Sequence, residues 1–171
     1  SRVAKHTLSV LVENHAGVLS RVAGLFSRRG FNIDSLAVGV TEDPEVSRMT
    51  IVVDGDEYVV EQVSKQLNKL VDVIKIKRLD DNDSVSRELA LIKVNANATT
   101  RGEILQIVEV FRANVIDISK NTLTIEITGS LDKVAALEDM LKPFGIKEIA
   151  RTGMIALERG NKHLAAEDNG K

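Results

Sequence analysis

The sequence predicts an α+β chain of two consecutive ferredoxin-like domains, each with the element order βαββαβ. The same succession of strand-period and helix-period apolar segments occurs twice, and a charged segment without apolar residues, 80–84, separates the copies. A length of 171 residues suits two small domains. We place the first domain at residues 5–79, a linker at 80–86, the second domain at 87–158 and a polar tail at 160–171.

The first copy alternates strand-like and helix-like apolar segments. The period of two at Leu8, Val10 and Val12 is typical of a strand, and apolar residues three and four apart over 18–26 are typical of a helix that ends before Gly30. The expected elements are a strand over 6–12, a helix over 18–26, strands over 31–40 and 48–53, a helix over 59–70 and a strand over 71–79.

The same order recurs after the linker. Leu123, Ile125 and Ile127 alternate with polar residues as in a strand, and Pro143 cannot continue the helix that precedes it. The expected elements are a strand over 89–94, a helix over 104–111, strands over 115–118 and 121–128, a helix over 134–141 and a strand over 146–150. Residues 154–157 add an apolar segment, either an edge strand or a docking piece.

The composition excludes several classes of protein. The chain has no cysteine, which rules out disulfides, thiolate nucleophiles and cysteine-ligated metal centres. It has 4 Phe, 1 Tyr, no Trp and a formal net charge of −2, which disfavours binding to nucleic acid or to an anionic membrane. No apolar run approaches the roughly 20 residues of a membrane span, and the amino end lacks the apolar region of a signal peptide.

Catalysis by this chain alone is not expected. Its three histidines, His6, His15 and His163, do not have paired ligand spacing. No nucleophile elbow or phosphate-binding glycine loop occurs, and the carboxylates are scattered over polar faces. We therefore predict neither catalytic residues nor a metal site.

The loop between the first strand and the first helix is the most informative segment. The unpaired N–H groups of Gly17, Val18 and Leu19 at the helix start suit a small carboxylate ligand, and Asn14 adds a donor or an acceptor. The alternative is that Asn14 only caps the turn and Gly17 only permits it. Asn32 is unusual in a strand, and it either contacts a ligand or a partner chain or forms the strand entry.

Several runs of residues resemble one protein family, the small, regulatory subunit of acetolactate synthase (acetohydroxyacid synthase). Residues 8–14 (LSVLVEN), 16–21 (AGVLSR) and 24–33 (GLFSRRGFNI) look like its N-terminal ACT domain. Residues 65–73 (KQLNKLVDV), 87–93 (RELALIK) and 149–153 (IARTG) are similar to further parts of the same family. The resemblance covers about residues 3–160.

The resemblance implies a regulator without catalysis of its own, in branched-chain amino acid biosynthesis. The separate catalytic (large) subunit, with thiamine diphosphate, Mg and FAD, would condense pyruvate with a second 2-oxo acid. The small subunit would activate it and confer feedback inhibition by valine, and in some members by leucine or isoleucine. The expected location is a bacterial cytoplasm or, after loss of a transit peptide, a chloroplast stroma. Neither nucleic acid nor a membrane is an expected partner.

The resemblance also implies a homodimer through the N-terminal ACT domain, with the effector at the dimer interface. The residues that match the effector site are Asn14, Ala16, Gly17, Val18 and Leu19 of one chain, and Asn32 and Ile33 of the other. The corresponding loop of the second half, 95–102, departs from this pattern, so no effector site is expected there. The alternatives are an ACT-type sensor for another amino-acid pathway, an RNA-binding ferredoxin-like module and a stand-alone enzyme.

Overall fold

The computed structural model describes residues 4–166 and confirms the α+β class and the repeated βαββαβ order. The elements of the first half are β1 (Ala4–Glu13), α1 (Val18–Arg29), β2 (Asn32–Val40), β3 (Val46–Gly55), α2 (Glu57–Asn68) and β4 (Val73–Leu79). A 3₁₀ turn at Asp81–Asp83 follows. The elements of the second half are β5 (Ser84–Asn95), α3 (Arg101–Val110), β6 (Asn114–Ile118), β7 (Thr122–Gly129), α4 (Leu131–Leu141), β8 (Ile146–Arg151) and β9 (Ile155–Glu158), with a 3₁₀ turn at Lys142–Phe144 before β8.

Each half builds one antiparallel sheet. The strand order is β2-β3-β1-β4 in the first and β6-β7-β5-β8 in the second, where β9 also pairs with β5. Within residues 4–166, β2 and β4 are therefore the edges of the first sheet. The register pairs Asp54 with both Asn32 and Lys5, whereas Glu13 pairs with Val46. The start of β2 and the end of β1 thus lie at opposite ends of this sheet.

The core of the first half lies between the sheet and its two helices. Leu8, Ile51 and Leu67 are fully buried there, which follows from the alternation along the strands and the apolar stripe of α2. A second, similar core contains Ile92 and Leu137.

The described residues divide into two compact units. One contains the residues up to Val85 together with those from Met154 onward, and the other is Ser86–Gly153. β5 begins at Ser84, so the second part of the expected linker is extended strand. Residues 167–171 of the predicted tail lie outside the described residues, and the predicted domain bounds remain predictions. None of the helices within residues 4–166 is long and apolar enough to span a membrane.

Candidate functional site

The loop between β1 and α1 is held by hydrogen bonds on two sides. Asn14 donates from its backbone N to Glu45 O over 2.8 Å and from its side-chain Nδ2 to Pro44 O over 2.9 Å, which ties the loop to the turn between β2 and β3. Glu13 N donates to Asp72 O over 2.9 Å, which ties it to the turn before β4. The loop therefore has a defined position although its side chains are exposed.

The start of α1 has no side-chain cap among the described residues. Gly17, with φ 90° and ψ −13°, is the residue before the helix, and its carbonyl accepts the first helical hydrogen bond from Arg21 N. Positive φ at this value favours glycine. The N–H groups of Val18, Leu19 and Ser20 precede that bond and have no intrahelical acceptor, so they can bind an anion.

The two apolar residues at this helix start have different environments. The side chain of Val18 is buried in the first core, so only its backbone N–H can take part in a site. Leu19 is 48% exposed, which leaves its side chain able to contact a ligand. Ala16 is exposed in the loop, and its carbonyl lies 3.2 Å from His15 Nδ1.

A cluster of four ionisable side chains lies in and beside the loop. The carboxylate of Asp72 is almost fully buried; its Oδ2 accepts from Arg21 Nε over 2.5 Å, and its Oδ1 lies 3.1 Å from His15 Nε2. His15 Nε2 also lies 2.9 Å from Glu13 Oε2. We call Glu13, His15, Arg21 and Asp72 the loop cluster.

Contacts within the loop cluster favour the charged forms of His15, Arg21 and Asp72. Hydrogen bonding to Glu13, and then to the carbonyl of Ala16, raises the pKa of His15, because both ring nitrogens face acceptors. The hydrogen bond from Arg21 lowers the pKa of Asp72, and the same bond raises the pKa of Arg21.

The loop cluster also has the donor types of a cation site. One ligand atom each from Glu13, His15 and Asp72 lies within 4.8 Å of the others. However, the guanidinium of Arg21 already binds the buried carboxylate, and its positive charge opposes a metal ion at this position. We therefore describe these residues as an ion-pair cluster.

Asn32 and Ile33 lie at the other end of the sheet. Asn32 is exposed at the start of β2 and donates from Nδ2 to Asp54 Oδ2 over 3.0 Å, while Ile33 is half-buried against the first core. The register places Asn32 level with Lys5, eight residues before Glu13 along β1. At the strand rise this is about 27 Å, so Asn14 and Asn32 of one chain do not meet.

In the corresponding loop of the second half, the side chain of Asn97 bonds to the loop's own backbone. Asn97 Oδ1 accepts from the backbone N atoms of Thr99 and Thr100, each over 2.9 Å, just before α3. Arg101 Nη2 donates to the carbonyls of Ser119 and Lys120. These bonds fix the loop before α3 from within, whereas the loop before α1 is tied to neighbouring turns through Asn14 and Glu13. That the second half has no effector site stays a prediction.

Arg21 and Asp72 were missed by sequence reasoning. The available signal was Asp72 itself, an acidic residue within the apolar run of residues 70–74, where burial requires a charged or hydrogen-bonded partner.

The fold and the first half define an ACT-domain protein. A family model described as "AHAS small subunit-like ACT domain" matches residues 8–75, and one described as "Small subunit of acetolactate synthase" matches residues 87–160. The chain belongs to the acetolactate synthase small-subunit family, whose members are regulatory subunits, and the resemblance seen in the sequence is confirmed.

The similarity to relatives and to a solved structure extends over nearly the whole length of the chain. The chain is 58% identical over 158 residues to a probable acetolactate synthase small subunit of Archaeoglobus fulgidus, covering 92% of this chain and 99% of that protein. It is 58% identical over 161 residues to the acetolactate synthase small subunit of Mycolicibacterium smegmatis, covering 94% and 95%. The crystal structure of the small subunit from Thermotoga maritima has a TM-score of 0.86 and 46% identity, covering 93% and 99%.

Proposed function

We propose that this chain activates the catalytic subunit of acetolactate synthase and inhibits it when valine binds between two N-terminal ACT domains. Thiamine diphosphate, Mg and FAD would be bound by the catalytic subunit, and this chain would supply no catalytic residue. The complex would act in a bacterial cytoplasm or a chloroplast stroma. Leucine or isoleucine could replace valine, because one methylene changes binding by only ~1–3 kcal/mol.

The observation that supports this proposal most is the position of the two asparagines. Asn14 and Asn32 are at opposite ends of the first sheet, so one ligand can contact both only if two chains contribute. β2 is an edge strand with exposed Val38 and Val40. Antiparallel pairing of β2 with β2 of a second copy would bring the Asn32 end of one chain alongside the Asn14 loop of the other.

Each group at this shared site would bind a particular part of the valine molecule. The open N–H groups of Val18 and Leu19 would bind the carboxylate. The side-chain oxygen of Asn14, whose Nδ2 is engaged by Pro44, would accept from the ammonium, and Asn32 would complete the polar contacts. Leu19 and Ile33 would line the slot for the isopropyl group.

Mixed dimers test this two-chain site. Asn14→Ala and Asn32→Ala homodimers should each bind valine poorly, because each lacks a polar contact in both sites. A heterodimer of the two variants has one site with both asparagines intact, provided that the asparagines of a site come from different chains. We therefore expect mixing, after partial unfolding and refolding, to restore valine binding at up to one site per heterodimer.

The reconstituted enzyme gives the functional readout. Acetolactate formation by the catalytic subunit should rise when this chain is added and fall when valine follows, and both asparagine variants should still activate. Asn68→Ala, an exposed change at the end of α2, is the matched control and should respond to valine normally. A mixture of the two variants that binds no more valine than either alone would contradict the two-chain site, and preferential binding of serine would indicate a sensor for another pathway.

A further inference from the structure

We propose that Arg21 binds the carboxylate of the amino-acid effector, and that Asp72 positions it for this role. The inference rests on the proposed function, because it assigns a further contact at the same site. It adds a charged side chain to a ligand site otherwise built from backbone N–H groups and two asparagines.

The first support is the position of the guanidinium. Arg21 lies one helical turn after Gly17 and folds back over it: a Cβ atom placed on Gly17 would lie 2.9 Å from Arg21 Nη1 and 3.7 Å from Nη2. Both Nη atoms are therefore next to the helix start that carries the open N–H donors. An anion at these donors would meet the guanidinium as well.

The second support is the orientation of the guanidinium. Arg21 uses Nε to donate to Asp72 Oδ2, and no other hydrogen bond of its side chain occurs within residues 4–166. The Nη1 and Nη2 donors form a second edge of the planar group, with the spacing that matches both oxygens of a carboxylate. Asp72 holds one edge and leaves the other for the ligand.

The third support is that Asp72 has a second hydrogen-bonding neighbour. His15 Nε2 lies 3.1 Å from Asp72 Oδ1, so the buried carboxylate keeps a partner when Arg21 is replaced. Replacing Arg21 should therefore affect ligand binding more than folding. The other arginines of α1, Arg28 and Arg29, lie in its last turn, away from Gly17.

The experiment compares valine with valinamide, which keeps the ammonium and isopropyl groups but has no carboxylate. Calorimetric titration of the full-length dimer with both ligands uses wild type, Arg21→Gln and the control Arg28→Gln. We expect wild type and Arg28→Gln to prefer valine strongly. Arg21→Gln should bind valine roughly 10- to 100-fold more weakly and valinamide within about twofold of wild type, because only the carboxylate contact is lost.

The outcomes separate this inference from the proposed function. Equal losses for valine and valinamide in Arg21→Gln indicate a structural role and overturn the assignment, as does unchanged valine affinity. Wild type that binds no branched-chain amino acid overturns the proposed function and the assignment together. If Arg21→Gln does not fold, Arg21→Lys replaces it in the titrations, because lysine keeps a cation beside Asp72 but lacks the second donor edge. Weakened valine binding by Arg21→Lys with normal valinamide binding supports the assignment. Normal valine binding by Arg21→Lys overturns it.

Discussion

Replacing Gly17 by alanine should weaken the response to valine by more than its effect on stability explains. Gly17 and Gly160 both have positive φ, 90° and 68°, and both are exposed. They differ in their neighbours: a Cβ on Gly17 would lie 2.9 Å from Arg21 Nη1, whereas nothing lies within 4 Å of one on Gly160. Gly160→Ala is therefore the matched control for Gly17→Ala.

The expected loss of stability is similar for the two variants. A non-glycine residue in the left-handed region costs about 1–2 kcal/mol, and this applies at both positions. The additional contact at Gly17 is with Nη1 at the far end of the Arg21 side chain. That end can turn away while Nε keeps its hydrogen bond to Asp72, so little further loss of stability is expected. For a chain of this size each kcal/mol lowers Tm by roughly 2–4 °C.

The expected loss of valine binding differs between them. Displacing the Arg21 guanidinium from Gly17 would remove its proposed charge-assisted contact with the valine carboxylate, and the substitution adds a methyl group beside the open N–H donors. We therefore expect at least a roughly tenfold weaker affinity for valine. Gly160→Ala should bind valine as wild type does. Denaturant unfolding and valine titration of the same samples provide both numbers. The reasoning is refuted if Gly17→Ala binds valine normally, or if Gly160→Ala loses as much affinity.

Two further predictions concern pH and the core. His15→Gln should lower Tm at pH 6 and much less at pH 9. The hydrogen bond to Glu13 raises the pKa of His15 in the folded state, so protonated His15 stabilises the fold. This stabilisation is complete below the pKa of His15 in the unfolded chain, and it disappears as the pH rises through the pKa in the folded state. Thermal melts at both pH values test this, and an equal effect at both would contradict it. Leu67 is fully buried, so Leu67→Ala should reduce the free energy of unfolding by ~2–5 kcal/mol. Leu105 is 40% exposed, so Leu105→Ala should reduce it by far less in the same denaturant titration. Similar losses for the two variants would contradict the assignment of the core.

The order of elements could be predicted because it depends on local apolar periodicity. The strand at β7 and the helix α1 follow from residues that are neighbours in the chain. β5 begins five residues earlier than expected, at Ser84, where the sequence is polar and carries no apolar period. The hydrogen bond from Arg159 N to Asp83 O lies next to this strand start, and such a contact between distant segments leaves no local pattern.

Those parts of the candidate site that depend on neighbouring residues could likewise be predicted from the sequence. Gly17 and Asn14 are in one loop, and their residue types indicate a turn and a helix start. Val18 belongs to the apolar stripe of α1, which accounts for the burial of its side chain and leaves only its N–H to the site. The pairing of Arg21 with Asp72 joins residues 51 positions apart, so no local spacing could indicate it.

In the proposed valine-binding dimer, a short path of hydrogen bonds would connect the effector to the dimer interface. The loop that would bind it is attached through Asn14 to Pro44, in the turn that joins the end of edge strand β2 to β3. In the proposed dimer that end of β2 lies beside Asn32 of the second chain, so a ligand held by Asn14 and Asn32 would connect both chains at the β2 interface. Coupling between an effector and a distant activity is commonly ~1–3 kcal/mol, and single hydrogen bonds contribute ~0.5–1.5 kcal/mol. A change in two or three such bonds between the free and the valine-bound form of the proposed dimer would therefore supply a coupling of this size.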